Sequence, residues 1–237
     1  MKKFIKLLLK ILGLEIRHYK EPSYSKIIRK LGVTLVLDVG ANAGQFSRSL
    51  RENGYKGKIV SFEPTKAAYN HLLKSSSLDS EWIVHPRAAL GSEIGSTKIN
   101  VAGNDGMSSS ILEMGLTHKE SAPHSMYLSD ENVDLITIDS VFDKYACKAD
   151  IVFLKIDVQG YEDHVLIGSK LSIEKITAIK LELSLTSLYE GDKLYDFYFS
   201  KLEALGFEIF DLDPGHRNHT TGKLLQFDSI YVKNSIN

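Results

Sequence analysis

Thr34-Leu35-Val36-Leu37-Asp38-Val39-Gly40-Ala41-Asn42-Ala43-Gly44-Gln45-Phe46-Ser47 is the stretch whose reading decides the fold. Its first half is a short aliphatic run without helical period. Its second half carries Gly40 and Gly44 and leads into a helical pattern through Leu50 and Arg51. The segment reads as strand, tight turn and helix. Glycine tolerates positive φ and admits a ligand close to the backbone, and the turn delivers that ligand to a helix N-terminus at the carboxyl end of a strand. Open α/β sheets bind their small ligands there.

The spacing narrows the choice of ligand. A dinucleotide fold shows Gly-x-Gly-x-x-Gly and a P-loop ends in Gly-Lys-Ser or Gly-Lys-Thr, whereas this loop is Asp38-x-Gly40-x-Asn42-x-Gly44. An acidic residue entering the turn suits a ligand with a cationic group. S-adenosylmethionine, with its ammonium and sulfonium, is such a ligand.

A chain of 237 residues accommodates one well-buried core more readily than two full domains. We divide it into an N-terminal amphipathic helical extension, 1–32, and a main domain, 33–237. With 29 basic and 30 acidic residues the formal net charge is -1, which gives no global electrostatic case for nucleic acid. The single cysteine, Cys147, excludes a disulfide within the chain and a Cys-rich zinc site, and fits a reducing, cytoplasmic compartment. No apolar run approaches the roughly 20 residues that span a bilayer. In residues 1–20, Lys2, Lys3, Lys6, Lys10 and Arg17 fall on one helical face, while Phe4, Leu8, Ile11, Leu12 and Leu14 fill the opposite one. Two readings stand side by side: an interfacial helix in peripheral contact with the inner membrane face, or an ordinary amphipathic helix packed on the domain or a partner. A secretory signal fits poorly, because Lys6 and Lys10 break the apolar region.

Beyond the loop, 58–63 reads as a second strand ending in Glu63. That residue lies about 20 positions past the glycine loop, from where a carboxylate reaches ribose hydroxyls in nucleotide-binding α/β folds. Pro64, near the start of a helix over 65–74, offers the alternative of a simple helix N-terminal charge. Residues 82–90 read as a third strand, with Ala88 and Ala89 either leaving room for a flat ring or packing tightly. Residues 96–102 read as a further strand paired after a turn at Gly95. The stretch 103–115, with Ser108, Ser109 and Ser110, reads as a solvated turn or a substrate-side lid. Residues 117–132 lack period and receive no assignment. Their histidines, His118 and His124, have no metal-ligand spacing and read as surface residues.

Residues 133–138 alternate as a strand does, and Asp139 reads as the cap of a helix reaching Tyr145. The apolar run 151–154 is a central, doubly covered strand. Lys155, Asp157 and Gln159 follow at period two on one side as it ends. Three polar side chains in that position are costly for packing alone and point to site chemistry. Residues 161–171 read as a helix and 176–183 as a buried strand. Glu182, near the end of that strand, needs a partner, and Lys180 on the same face is the candidate. A helix over 193–205 stops at Gly206. A closing antiparallel pair, 207–212 with 224–232, is joined by a loop carrying His216 and His219.

In this order, VLDVGANAGQFS, SFEP, RAALG, the Ser-rich loop, ITIDS, FLKIDVQGYE and KLELS resemble the FkbM family of S-adenosylmethionine-dependent methyltransferases, over about residues 35–231. The resemblance implies an α/β, class I methyltransferase (Rossmann-like) fold. Such a fold has a seven-stranded, mostly parallel sheet with an antiparallel last strand and helices on both faces. Residues 33–237 are then the methyltransferase domain. It also implies S-adenosylmethionine as cofactor and O-methylation as reaction. The expected acceptor is a sugar hydroxyl of a glycan or glycan precursor, as in polysaccharide biosynthesis. A polyketide-type small molecule, a nicotinamide-dependent oxidoreductase and a non-catalytic cofactor-binding module are the alternatives. Matched by position, Asp38, Gly40, Asn42 and Gly44, with Phe46 and Ser47, would hold the methionine end, and Glu63 with Pro64 the ribose. Ala88 and Ala89 would lie near adenine. Ser108 to Ser110, centred on Ser109, and Asp157 would lie near the reacting end. Gln159 stands where the usual family motif has Glu. A sugar hydroxyl is a poor nucleophile, so a base or a metal is expected. The base candidates are Asp157 and Glu182, with His216 or His219 as loop-borne alternatives; both carboxylates in one pocket would admit a divalent metal.

Overall fold

In the computed structural model, which describes residues 21–234, the opening apolar run is strand β1 (Leu35–Val39), buried along its whole length. The strands that follow are β2 (Lys58–Phe62), β3 (Trp82–Val84), β4 (Ala88–Leu90), β5 (Gly95–Ala102), β6 (Tyr127–Ile136), β7 (Val152–Ile156), β8 (Ile176–Ser184), β9 (Phe207–Pro214) and β10 (Gln226–Lys233). The helices are α1 (Ser23–Lys30), α2 (Gln45–Glu52), α3 (Lys66–Ser76), α4 (Leu116–Ser121), α5 (Ile138–Tyr145), α6 (Glu162–Ile167) and α7 (Tyr195–Ala204). The main sheet has seven strands in the order β3-β2-β1-β7-β8-β10-β9. Neighbours from β3 to β8 run parallel, and β10 runs antiparallel to both β8 and β9. This is the class I methyltransferase architecture the sequence led us to expect.

The period-two alternation of the strands sorts the core into two layers. Leu35, Leu37 and Val39 join Phe62, Leu154 and Ile156 on one face, covered by Ile138 and Phe142 of α5, Val165 of α6 and Leu202 of α7. Val36, Ile59 and Phe153 point the other way, onto Ile27 and Ile28 of α1, Leu50 of α2 and Leu72 of α3. A parallel sheet covered on both faces needs such continuous apolar strands. Each fully buried aliphatic or aromatic side chain contributes about 1.5–3 kcal/mol. Helix α1, on the extension side of the boundary expected at residue 32, buries two isoleucines in this second layer.

Several expectations need correction. The single strand expected over 82–90 is two. The His85 amide donates to the Ser61 carbonyl at 3.0 Å, and Pro86 has no N–H to continue the ladder. The chain then leaves the main sheet, and β4 enters a three-stranded sheet ordered β4-β6-β5. Strand β5 pairs antiparallel with β6 rather than with β4. The unassigned stretch 117–132 holds α4 and most of β6, whose first six residues are not buried on either face and so show no apolar alternation. Asp139 does not cap its helix: Thr137 does, in a reciprocal capping box with Ser140. The Asp139 carboxylate instead accepts from the Leu171 amide at 2.9 Å and the Ser172 amide at 2.8 Å, tying down the turns where α6 has already ended at Ile167. The amphipathic pattern of residues 1–20 lies outside the described residues. Among the described residues no helix is long and apolar enough to cross a membrane.

Candidate active site

The turn after β1 is as tight as its glycines require. Gly40 has φ +73°, and a Cβ there would lie 1.8 Å from the Asp157 carbonyl oxygen, so a side chain would wedge apart the ends of β1 and β7. Gly44, with φ +87°, leaves no room for a Cβ against the Trp82 ring. The loop amides are committed inside the fold. Those of Gly40 and Ala41 donate to the Phe62 carbonyl at 3.1 and 3.0 Å, and that of Gly44 to the Ala41 carbonyl at 2.9 Å. The Asn42 amide donates to Glu63 Oε2 at 2.9 Å, and the Ala43 amide to Asn42 Oδ1 at 2.7 Å.

Behind the turn lies a buried polar layer. Asp38 Oδ2 accepts from Ser47 Oγ at 2.7 Å and Ser61 Oγ at 3.3 Å, while Oδ1 faces Lys155 Nζ at 3.2 Å. The same ammonium donates to the Gly40 carbonyl at 2.7 Å and lies 3.5 Å from Asp157 Oδ2. Burial disfavours the charge on Lys155, but Asp38 and Asp157 outweigh it and hold the lysine above its ordinary range. Asp38, Gly44 and Ser47 therefore sit one layer behind the surface a ligand would touch.

That surface is a cavity of about 470 Å³ at the carboxyl ends of the central strands. Of the residues singled out in the sequence, Gly40, Asn42 and Phe46 line it from the turn and α2, Glu63 and Pro64 from the end of β2. Ala88, Ala89 and Ser109 line it from the smaller sheet and its loop. Glu63 Oε1 accepts from both the amide and the hydroxyl of Thr65, at 2.8 and 2.6 Å. Burial nevertheless pushes its carboxyl above the usual range. Ala89 belongs to an apolar patch with Ile99 and Ile111, two further lining residues. On the opposite side Tyr24 of α1 stands with its ring 4.9 Å from that of Phe46, its hydroxyl bonded to Ser49 Oγ at 2.8 Å.

The charged end of the cavity is built by three adjacent strands. Asp157 follows β7 and Glu182 lies on β8, and both line the cavity. Between them stands Gln159, whose Nε2 donates to Asp157 Oδ1 at 2.9 Å and to Glu182 Oε2 at 2.8 Å. The expected partner of Glu182 is corrected here. Lys180 pairs with Asp228 of β10, and Glu182 instead receives a second amide, Gln226 Nε2, at 3.0 Å. Burial first, then the charges of Asp157 and Asp228, push the Glu182 carboxyl up to about 8. Burial acts the same way on Asp157, but Lys155, Lys180 and the Gln159 hydrogen bond overcome it and hold that carboxyl below its ordinary range. Two neighbouring carboxylates with opposite shifts can divide roles, one staying ionised and the other exchanging a proton.

Other expected residues lie elsewhere. His216 is outside this cavity, its ring 6.1 Å from that of His118 and its Nε2 3.4 Å from Ser121 Oγ, and His219 lies beyond it, exposed. His118, read as a surface residue, is buried against Tyr189 at 5.1 Å between ring centres. Burial, then His216 and His124, push it down to about 4. Among the described residues no group of three or more His, Cys, Asp or Glu is placed to hold a metal ion, and the space between Asp157 and Glu182 is taken by an amide that donates. Tyr24, Thr65, Lys180 and Asp228 line the cavity without having been singled out as site residues; Asp228, a carboxylate inside a closing strand, was the signal available for one of them.

No curated protein matches the chain by sequence. Solved structures that it resembles include a putative RNA methyltransferase from Pyrococcus horikoshii, at 12% identity and TM-score 0.47, covering 98% of this chain and 99% of that one. Another is magnesium protoporphyrin IX methyltransferase from Synechocystis with bound S-adenosylmethionine, at 10% identity and TM-score 0.49, covering 90% and 76%. A third is a putative S-adenosylmethionine-dependent methyltransferase from Listeria monocytogenes, at 10% and 0.46, covering 90% and 100%. The family model described as the methyltransferase FkbM domain matches residues 38–209, a span that runs from the buried aspartate of β1 into β9. The chain belongs to the FkbM family and is an S-adenosylmethionine-dependent methyltransferase.

Proposed function

We propose that this chain transfers the methyl group of S-adenosylmethionine to a hydroxyl, and that the hydroxyl belongs to a sugar in a glycan or glycan precursor. The observation that carries the reading is the Asp157–Gln159–Glu182 set, two carboxylates of opposite shift on the wall of one cavity. When bound, S-adenosylmethionine supplies an electrophilic methyl: its carbon–sulfur bond breaks as the carbon–oxygen bond forms, and the electron pair stays on sulfur.

The residues fit that cofactor. Gly40 and Asn42 are assigned to its methionine end, Glu63 to the ribose hydroxyls and the Ala88–Ala89 backbone, beside Ile99 and Ile111, to the adenine. Phe46, Pro64 and Ser109 complete that wall, with Asp38, Gly44 and Ser47 supporting it from behind. Asp157, held ionised beside Lys155, suits the cationic end. The committed amides of residues 40–44 leave none of the five for a pyrophosphate, which speaks against a nicotinamide dinucleotide.

Glu182 is assigned the hydroxyl proton. A carboxylate raised to about 8 is a far stronger base than an ordinary one and is ionised in a useful fraction near neutral pH. Hydroxyl-rich acceptors are favoured because Asp157, Glu182 and Asp228 all present acceptor oxygens to this end of the cavity, beside the rings of Tyr24 and Phe46. Cytoplasmic methylation, with residues 1–20 touching the inner membrane face, belongs to the same proposal. Vesicle flotation of the full chain against one lacking residues 1–20 tests that part, and equal flotation would sink it.

The central test is mass spectrometry of glycans from source cells with and without the gene. Loss of one methyl from a sugar, restored by the wild-type gene but not by Glu182→Gln, is the expected result. Unchanged glycans, together with methyl transfer to a non-sugar hydroxyl in vitro, would overturn the sugar assignment.

A further inference from the structure

Gln159 is held more firmly than any exposed loop residue would be. Its backbone has φ +57°, in the left-handed region that costs a non-glycine residue about 1 kcal/mol or more. Its carbonyl accepts from Ser110 Oγ at 2.7 Å, and the flanking amides of Val158 and Gly160 both donate to Glu162 Oε1 at 3.1 Å. Its side chain is oriented at both ends. Tyr189, fully buried, donates its hydroxyl to Gln159 Oε1 at 2.7 Å, which leaves Nε2 for Asp157 and Glu182. Flipping the amide would set its carbonyl oxygen against Asp157, which is held ionised, and would turn the Tyr189 hydroxyl from its 2.7 Å bond to Gln159 Oε1 to its longer one, 3.3 Å, to the Ser108 carbonyl, so the orientation present is the favoured one.

We propose that Gln159 is a positioning residue that ties Asp157 and Glu182 into one hydrogen-bonded unit, with Tyr189 fixing the direction of its amide. The inference rests on the methyltransfer reading for its catalytic meaning, but its electrostatic content belongs to the protein alone. Two carboxylates at the ends of neighbouring strands repel each other, and an amide nitrogen that donates one N–H to each lets both be ionised at lower cost. Both amides that reach Glu182 land on Oε2, so among the described residues Oε1 carries no hydrogen bond and is available to an incoming hydroxyl. The other charged or titratable groups facing the pair are Lys155 from β7, Lys180 from β8, Asp228 from β10, Glu162 from α6, Asp38 from β1 and Tyr189.

Gln159→Leu removes the donor and Tyr189→Phe removes only the hydroxyl that orients it. Carboxylate 13C NMR titration of the full-length, ligand-free protein is the first readout. In Gln159→Leu both Asp157 and Glu182 are expected to titrate higher, Asp157 by about one unit. Calorimetry with S-adenosylhomocysteine is the second, expected to change less than about threefold, because Lys155 still holds Asp157 ionised for the cofactor's cationic end and the amide touches neither the ribose nor the adenine wall. With methyl transfer assayed, kcat is expected to fall about 100-fold in Gln159→Leu and about tenfold in Tyr189→Phe, with KM for S-adenosylmethionine unchanged and the acid limb displaced upward. Unmoved titrations in a folded Gln159→Leu protein, or wild-type kcat and pH profile in both variants, would overturn the assignment. If wild-type protein bound no S-adenosylhomocysteine, the methyltransfer reading would fail, while the ligand-free titration would still decide whether Gln159 couples the carboxylates.

Discussion

Asp38 and Lys155 are register partners on adjacent parallel strands, and they meet with 3.2 Å between carboxylate and ammonium where neither has more than 5% of its side chain exposed. The pair fastens the end of β1 to the end of β7, the two strands whose ends form the floor of the cavity. Lys155→Met leaves Asp38 charged, buried and without its cation, a change that costs about 3–5 kcal/mol. Urea denaturation measures the loss, and the double variant with Asp38→Asn is expected to recover part of it.

Gly40→Ala combines a disfavoured φ, costing about 1–2 kcal/mol, with a Cβ 1.8 Å from the Asp157 carbonyl oxygen. Backbone must move, and the turn is what moves. Thermal melting should show the destabilisation, and calorimetry a loss of S-adenosylhomocysteine affinity beyond tenfold. A variant with unchanged affinity would show that the turn does not shape the cofactor site.

Glu63→Gln keeps the size of a carboxylate but exchanges one of its acceptor oxygens for a donor. The side chain then opposes at least one of the donors it now satisfies, Asn42 N or Thr65 N and Oγ1. Hydrogen bonds to a charged group are worth about 1.5–3 kcal/mol, so S-adenosylhomocysteine should bind roughly ten- to a hundredfold more weakly. Equal binding would remove Glu63 from the ribose assignment.

The pH dependence has opposite signs for activity and stability. Glu182 has its carboxyl raised from 4.5 to about 8 by burial, Asp157 and Asp228. The folded state therefore binds this proton more tightly than the unfolded chain, and stability declines as pH rises between those values. A base must be ionised to work, so methyl transfer should increase over the approach to pH 8. Glu182→Gln should abolish the activity limb and flatten the stability slope. Glu162, raised to about 7 chiefly by burial, leaves a residual slope in that variant. Denaturant titrations and initial rates from pH 5 to about 9 separate the two effects; a wild-type activity limb in Glu182→Gln would move the base elsewhere.

What could be read from the chain beforehand was local. The strand, turn and helix over 34–52 announce themselves because an apolar run, two glycines and a helical period follow within one short stretch. Glu63 and the Lys155, Asp157, Gln159 series were visible for the same reason, as polar residues at strand ends. The Lys180–Asp228 pair was not, because its partners are 48 residues apart and only the antiparallel register of β8 and β10 makes them neighbours. Tyr24 reaches the cavity only because α1 folds back beside Phe46. His118 defeated a composition-based reading: polar neighbours in sequence surround it, yet Tyr189 and His216 from distant segments cover it.

The antiparallel β10 also sets an order of events during synthesis. It lies between β8 and β9, both of which precede it in the chain. Until Gln226–Lys233 has left the ribosome, the facing edges of β8 and β9 have no strand between them. Glu182 then lacks Gln226, and Lys180 lacks Asp228. At roughly 5–20 residues per second, the glycine turn that follows β1 emerges many seconds before the strand that completes the charged end of the cavity.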